Sequence, residues 1–312
     1  MRTRNKPLVL LIDGENLLHR AFHKFENLKS TDGKPSGAIF GFFKSLHMYL
    51  VRFNPFKVVI SFDNGHSKYR TKILPNYKGH RKNISYDYES LQEQKSEIIR
   101  ILRMLRIPYI YDKLRISNYE GDDFLAYLYL RTRGEFKYLL ISSDKDFNQL
   151  LGVDLKIYNP SKDRIITHLN CKDIFNYSPG ECVQYLSLVG DDSDDIPGLR
   201  GYGPVKTRKF LDKYVNIEGA LDKGSDYPKK DRGLLRYVME RNRKLIDLRW
   251  FIKKHPRPKI SNLLKIYNKK KIQEDRFRRK CIEYSLNSML TIEFMKPFKE
   301  LLEYESKAKP KA

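Results

Sequence analysis

Three short runs, Leu8-Val-Leu-Leu-Ile12, Val58-Val-Ile-Ser-Phe62 and Tyr138-Leu-Leu-Ile-Ser142, are apolar without strict alternation. Strands buried on both faces have this pattern, and such strands make parallel sheets. Between the first two runs, Ile39, Phe42, Phe43, Leu46 and Leu50 recur at helical spacing, and Leu91, Ile98, Leu102 and Leu105 do the same after the second. Strand and helix alternate, which predicts an α/β fold. Ile107 to Tyr111 reads as a further strand, and Leu155 to Tyr158, Asn159-Pro-Ser-Lys and Ile165 to Thr167 as a hairpin at the sheet edge. Ser178-Pro179-Gly180-Glu181 is a capping-box signature that opens a helix ending at Gly190. After Pro197 the spacing predicts short helices broken by glycines, then an exposed loop from Lys223 to Arg232, then basic helices to a frayed Ser-Lys-Ala-Lys-Pro-Lys-Ala tail.

Acidic residues follow the apolar runs. Asp13 and Asp63 come directly after two of the strands, and Asp144 and Asp146 come within a few residues of the third. In open α/β sheets the crevice outside the carboxyl ends of the strands is where ligands bind, so these groups can converge there. Glu120 and Asp123 lie three apart at the start of a helix through Leu130, which puts both on one face, and Asp122 can reach the same side. Asp191 and Asp194 bunch with Asp192 and Asp195 just past a helix C-terminus, where the dipole disfavours more negative charge and a bound cation would relieve it. Any one of these aspartates could instead cap a helix or form a turn. Capping does not explain their recurrence at the same end of several strands. No loop has the twelve-residue calcium spacing, and there is no Cys/His cluster for zinc.

Composition changes what this acidic set faces. The 312 residues carry 61 Lys+Arg against 38 Asp+Glu, a net charge of +23, so the long-range field draws polyanions, nucleic acid first. No apolar stretch approaches a membrane-spanning length, which predicts a soluble, unsecreted protein with no membrane contact. Cys171, Cys182 and Cys281 are odd in number and widely spaced, against a disulfide framework.

Between Asp63 and Glu120, Lys68, Tyr69, Arg70, Lys72, Tyr77, Lys78, Arg81, Lys82, Tyr86 and Tyr88 interleave cations with aromatics, a pattern suited to a single strand, although composition alone favours a solvated basic loop. Gly201-Tyr-Gly203-Pro-Val-Lys206-Thr207 reads as a tight turn opening a helix, with amides free to bind a phosphate and Lys206, Arg208 and Lys209 adding charge.

The runs Leu11-Ile-Asp13-Gly14, Phe62-Asp63-Asn64-Gly65, Tyr119-Glu120-Gly121-Asp122-Asp123, Ser143-Asp144-Lys145-Asp146 and Gly190-Asp191-Asp192-Ser193-Asp194-Asp195-Ile196-Pro197-Gly198 resemble the 5′-nuclease (flap endonuclease) family, from about Leu8 to about Phe251. Gly121 stands where the family usually has Ala, and Asp195 where Asn is common. The resemblance implies a PIN-like parallel sheet flanked by helices, with a helical arch and a helix-hairpin-helix-like (helix-three-turn-helix) subdomain. Residues 1–190 would form the catalytic domain, with the arch at about 66–118. Residues 191–260 would form the duplex-binding subdomain, and 261–312 a basic helical extension. It further implies two Mg²⁺ or Mn²⁺ ions, one within Asp13, Asp63, Glu120, Asp122 and Asp123 and the other within Asp144, Asp146, Asp191 and Asp194. Lys78 and Arg81 would contact the scissile phosphate, Tyr77 would stack on a frayed base, and Arg20 would be another phosphate contact. Arg70 and Lys72 in the arch, and Gly201, Gly203, Lys206, Thr207, Arg208 and Lys209 in the glycine turn, would bind DNA, the turn with a K⁺ ion.

The implied activity is two-metal cleavage near the 5′ ends of DNA or RNA/DNA duplexes, exonucleolytic and at flaps, by a cytoplasmic monomer, in the host cytoplasm if phage-encoded. A PIN-type ribonuclease and a catalytically dead DNA-binding protein are the alternatives.

Overall fold

The computed structural model describes residues 6–79, 87–113, 118–258, 264–265 and 271–307. Strand β1 (Leu8–Asp13) pairs in parallel with β2 (Lys57–Phe62) and with β4 (Lys137–Ile141), whose mates further out are β3 (Tyr109–Tyr111) and β5 (Leu155–Asn159). Strand β6 (Arg164–Ile166) runs antiparallel beside β5, as the hairpin pattern predicts. A two-residue ladder joins β7 (Gly190–Asp191) to β8 (Ile196–Pro197), and β9 (Leu264–Lys265) lies antiparallel on β3. The main sheet order is β6-β5-β4-β1-β2-β3-β9. The chain therefore builds outward from β1 on one side and then restarts with β4 on the other, which places a topological switch point between β1 and β4.

Both faces of the sheet are covered, which is why the strands lack alternation. Val9, Leu11, Val59, Ile110, Leu140 and Ile157 enter one core, while Leu10, Ile12, Val58, Ile60, Leu139 and Ile141 enter the other. Helices α1 (Gly14–Lys24) and α2 (Gly37–Phe53) cover the second face. Helix α3 (Lys68–Ile73) leads into the segment before α4 (Tyr88–Leu105), and α4 packs on α2. Helix α5 (Gly121–Thr132) lies on the first face, with α6 (Cys171–Phe175) and α7 (Cys182–Val189).

The capping box ahead of α7 is half formed: Glu181 Oε2 accepts from the Ser178 amide at 2.8 Å, but regular helix starts only at Cys182. Gly190 ends α7 at φ +90°, and a Cβ there would lie 2.6 Å from both the Ile196 carbonyl oxygen and the Gly198 nitrogen. Only glycine lets the acidic turn fold back on the helix end.

The expected duplex-binding subdomain and C-terminal extension both pack on the catalytic sheet. In helices α8 (Pro204–Tyr214), α9 (Ile217–Leu221), α10 (Arg232–Ile246) and α11 (Leu248–Lys254), Phe210, Leu211, Leu235, Val238, Leu245 and Phe251 share one core with Leu11 and Leu140. Helices α12 (Glu274–Glu283) and α13 (Ile292–Lys307) bring Phe277, Cys281, Met295, Phe298, Leu301 and Leu302 into the core of α1, α2 and α4. Each such side chain contributes about 1.5–3 kcal/mol on burial. Within the span 66–118 expected to hold the arch, α4 buries Leu91, Ile98, Ile101 and Leu102, and β3 is a sheet strand. Residues 80–86 and 308–312, including Arg81 and most of the lysine-rich tail, lie outside the described residues. No described helix is long and apolar enough to cross a membrane.

Candidate metal centre

The carboxylates gather beyond the β1 and β4 ends, at the switch point. Asp13 ends β1 and caps α1: its Oδ1 accepts from the Asn16 amide at 2.9 Å and its Oδ2 from Ser142 Oγ at 2.7 Å. That same hydroxyl oxygen accepts from the Asp144 amide at 3.0 Å, and Asp144 Oδ1 accepts from the Asp146 amide at 2.8 Å. One hydrogen-bonded chain thus runs from β1 into the loop after β4. Asp63, just past β2, accepts at Oδ1 from the Gly121 amide at the first turn of α5. A Cβ on residue 121 would lie 2.8 Å from that oxygen, so glycine here permits a closer approach than the usual alanine. Asp191 Oδ1 takes the Ser193 amide and hydroxyl, and Asp195 sits at φ +53°, the left-handed conformation that Asn also tolerates. Turn and cap roles are therefore real for single aspartates, and they coexist with the clustering.

Charge in this crevice is unrelieved. Burial, then Asp13, Asp144 and Asp63, push the Asp122 carboxyl well above the ordinary carboxylate range. Burial and Asp194 push Asp144 up to about 7. Asp146 is raised by burial and by Asp144, Asp191 and Asp194, and its Oδ1 is buried without a hydrogen-bond partner. Burial likewise pushes Asp63 up to about 6. Among the described residues no three acidic, His or Cys side chains already close on a common point. The donors are nevertheless all hard oxygens, mutually repelling, with one orphaned acceptor, and they fit a divalent ion of the Mg²⁺ or Mn²⁺ kind.

On the α3 and α5 side the protein supplies its own cations. Arg70 NH1 and NH2 donate to the two oxygens of Asp123 at 2.7 and 2.8 Å, Nε donates to the Leu245 carbonyl, and the guanidinium lies 4.5 Å from the Phe251 ring centre. Asp123 is fully buried and also accepts from the Glu120 amide. Asp123, expected at an ion, is engaged here by Arg70 and a capping box, and Arg70, expected on DNA, is a buried cation paired with it.

Lys78, also buried, sits 3.0 Å from Glu120 Oε2 and 3.7 Å from Asp194 Oδ2. Although burial opposes it, Lys78, Arg70 and the Ser67 amide hold Glu120 down at about 2. Tyr77 is 4% exposed, and its hydroxyl donates to Glu120 and Asp194 at 3.0 and 3.1 Å. Tyr77, expected to stack on a frayed base, is a buried strut here between two acidic segments. Arg20 donates to the Pro160 carbonyl at 3.0 Å and is half-buried, tying α1 to the β5–β6 turn instead of facing a phosphate. Lys72 is exposed.

The glycine turn is split in the same way. Gly201 adopts φ +79°, Gly203 caps α8 without a side-chain cap bond, and Lys206 and Lys209 are exposed, Lys206 Nζ lying 4.4 Å from the Tyr202 ring centre. Thr207 is fully buried, with its hydroxyl directed at the Tyr202 carbonyl, and Arg208 is engaged by Glu181, Asp212 and the Asn176 carbonyl.

Sequence reasoning missed Glu15, Lys95 and Ser142. Lys95 Nζ is buried and donates to Glu15 Oε2 at 2.7 Å and to the Asp63 carbonyl at 2.6 Å. The available signal was a polar pair, Gln94-Lys95, on the apolar face of α4.

A family model described as the 5′-3′ exonuclease N-terminal resolvase-like domain matches residues 8–176. A 5′-3′ exonuclease of Aquifex aeolicus is 30% identical over 239 residues, covering 76% of this chain and 80% of that one. A 5′-3′ exonuclease of Buchnera aphidicola from Acyrthosiphon pisum is 34% identical over 219 residues, covering 69% of this chain and 73% of its own. A structure of the T5 5′-exonuclease with bound zinc superposes with a TM-score of 0.63 at 19% identity, over 96% of this chain and 99% of that one, and so shares the fold. The chain belongs to the 5′-3′ exonuclease family and is a 5′-nuclease, with its acidic crevice at the β1–β4 switch point.

Proposed function

We propose that this nuclease hydrolyses phosphodiester bonds near the 5′ ends of DNA, acting as exonuclease and flap endonuclease, with two Mg²⁺ or Mn²⁺ ions held by Asp13, Asp63, Glu120, Asp122, Asp144, Asp146, Asp191 and Asp194. The observation that carries this is the gathering of mutually repelling carboxylates at the open end of a parallel sheet, Asp122 against Asp13, Asp144 and Asp63, and Asp144 and Asp146 against Asp191 and Asp194, with a buried Asp146 oxygen unpartnered. Such ions, when bound, activate water and stabilise charge on the transferring phosphate. Like support comes from the T5 5′-exonuclease, whose structures include one with divalent metal ions and one of the bacteriophage T5 flap endonuclease with DNA.

The chain's own residues have separable parts in this reading. Ser142 holds Asp13 and the Asp144 backbone in register, so the two strand ends present their carboxylates together. Lys78 neutralises Glu120 until a substrate phosphate competes for its ammonium, an exchange that delivers a cation to the substrate and frees a carboxylate. The Gly201 turn, with Lys206, Lys209 and a K⁺ ion, holds duplex backbone without reading sequence.

A labelled 5′-flapped duplex and plain single-stranded RNA, each incubated with and without Mg²⁺, test the reading. Cleavage of the flap that needs Mg²⁺ and is lost in Asp144→Asn is expected. Clear preference for the RNA, or Mg²⁺-dependent cleavage intact in Asp144→Asn, sinks it.

A further inference from the structure

Two adjoining cavities of about 450 and about 310 Å³ share Glu218, Met239, Arg243 and Trp250 in their walls. The volume of each is in the range that holds a nucleotide-sized ligand. Their floor is partly aromatic: Trp250, the only tryptophan of the chain, is half-buried there. Their rim is cationic. Arg249, Lys253 and Lys254 line the larger cavity and Arg236 and Lys244 the smaller; all but Lys244 are exposed, and no ion pair among the described residues holds Arg249, Lys253 or Lys254. Of the acidic lining residues, Asp247 is already engaged, capping α11 through the Trp250 amide and pairing with Arg243 at 3.2 Å.

The groove is coupled to both functional regions. The Gln149 side chain, in its wall, donates to the Asp146 carbonyl at 2.8 Å and to the Ile246 carbonyl at 2.9 Å. Trp250 lies against Tyr69 of α3 with ring centres 6.5 Å apart. Tyr69 of α3 thus packs against the aromatic part of the groove's lining.

We propose that this groove is a second binding site, for single-stranded nucleic acid, with a base stacked on Trp250 and phosphates against Arg249, Lys253 and Lys254. An aromatic floor beside unpaired cations is the chemistry of a sequence-tolerant single-strand site, since every base has a π-face and every phosphate a charge. An acidic peptide would use the rim and leave the indole idle. The site takes its ligand whether or not the carboxylates cut, so it goes beyond the catalytic reading and is tested apart from it.

Trp250 provides the readout. The full chain, in EDTA to prevent cleavage, is titrated with an oligothymidylate of about 10 nucleotides, within the usual span of such sites. Saturable quenching of tryptophan emission is expected. The combined variant Arg249→Ala, Lys253→Ala, Lys254→Ala should weaken the quenching titration roughly tenfold and reduce the slope of log K against log salt by about 2, the value for three lost phosphate contacts on a single strand. Its Mg²⁺-dependent flap cleavage should stay within about twofold of the parent, a change under about 0.5 kcal/mol in barrier. Binding seen by anisotropy without a change in tryptophan emission, or quenching unaffected by the three substitutions, overturns the proposal. Equal quenching by polyglutamate also overturns it and makes the groove a protein-docking surface. Failure of the catalytic reading would show separately, as absent flap cleavage by the parent.

Discussion

Arg70 and Asp123 meet as two parallel hydrogen bonds of 2.7 and 2.8 Å, with both side chains at 3% exposure or less. The pair joins α3 to the first turn of α5, and the Arg70 guanidinium also holds the end of α10 through the Leu245 carbonyl. A fork matched to a carboxylate is the geometry that lets charge be buried at all.

Breaking that pair from one side should therefore cost more than removing it. Arg70→Met alone leaves Asp123 charged and buried, and a loss of about 3–5 kcal/mol is expected by urea unfolding. The double variant Arg70→Met, Asp123→Leu should recover at least half of that loss. Equal destabilisation of single and double variants would show that packing of the arginine, and not its charge, matters.

Asp146 makes the opposite forecast. Its raised carboxyl and orphaned oxygen oppose folding in the absence of cation, so Asp146→Asn should melt higher than the parent in EDTA. In the parent, Mg²⁺ at about 100 times its dissociation constant should add about 2.7 kcal/mol. That increment should shrink in the variant, together with cleavage. Calorimetry with and without Mg²⁺ measures both.

Gly190→Ala places a methyl 2.6 Å from two backbone atoms just beyond the acidic turn, the Ile196 carbonyl oxygen and the Gly198 nitrogen, at φ +90°. A cost of about 1–3 kcal/mol is expected, with displacement of Asp191 and Asp194. Cleavage should fall further than stability does, seen as a lower kcat at a temperature where the variant is fully folded.

Lys95→Met should expose the work of a residue that touches no carboxylate assigned to the cations. It leaves Glu15 buried without its ammonium and releases the Asp63 carbonyl. The Mg²⁺ midpoint for cleavage is expected to rise several-fold, with Lys95→Arg restoring part of it. An unchanged midpoint would make the pair purely structural.

The pH dependence of stability can be read at Glu181, away from the cluster. Partial burial works against ionisation, yet Arg208 at 2.8 Å and the Ser178 amide hold this carboxyl down at about 2, below its ordinary 4.5. A depressed value in the folded state means stabilisation that is complete above about pH 4.5 and is lost as pH falls through about 2. The parent should therefore out-melt Glu181→Gln at neutral pH by a margin that is flat down to about pH 5 and disappears towards pH 2. A constant margin at all pH values would rule out the ion pair as its source.

The strands, the main helices and the edge hairpin were legible because their signal is local: an apolar run, a 3.6-residue period, a turn tetrapeptide. The carboxylates were legible for a related reason, since each follows a strand and strand ends share one rim. The partners of Arg70, Tyr77 and Thr207 were not legible, because nothing local distinguishes a cation or hydroxyl that faces solvent from one facing a buried partner. Arg70 finds Asp123 at a separation of 53 residues and Tyr77 finds Asp194 at 117. The basic C-terminal helices misled in the same way, their charge hiding the stripe of Phe277, Phe298, Leu301 and Leu302 that completes the core.

The amino-acid sequence by itself determined an α/β nuclease with an acidic rim, because periodicity and strand-end chemistry act within a few residues. Only the tertiary structure decided which of those acids remain uncompensated. Asp123 and Glu120 meet Arg70 and Lys78, whereas Asp122, Asp144 and Asp146 face further carboxylates, those of Asp13, Asp63, Asp191 and Asp194. Desolvation is the reason: once buried, a carboxylate needs a cation, and the fold supplies one on the α3 side and leaves the switch point to an ion from solution.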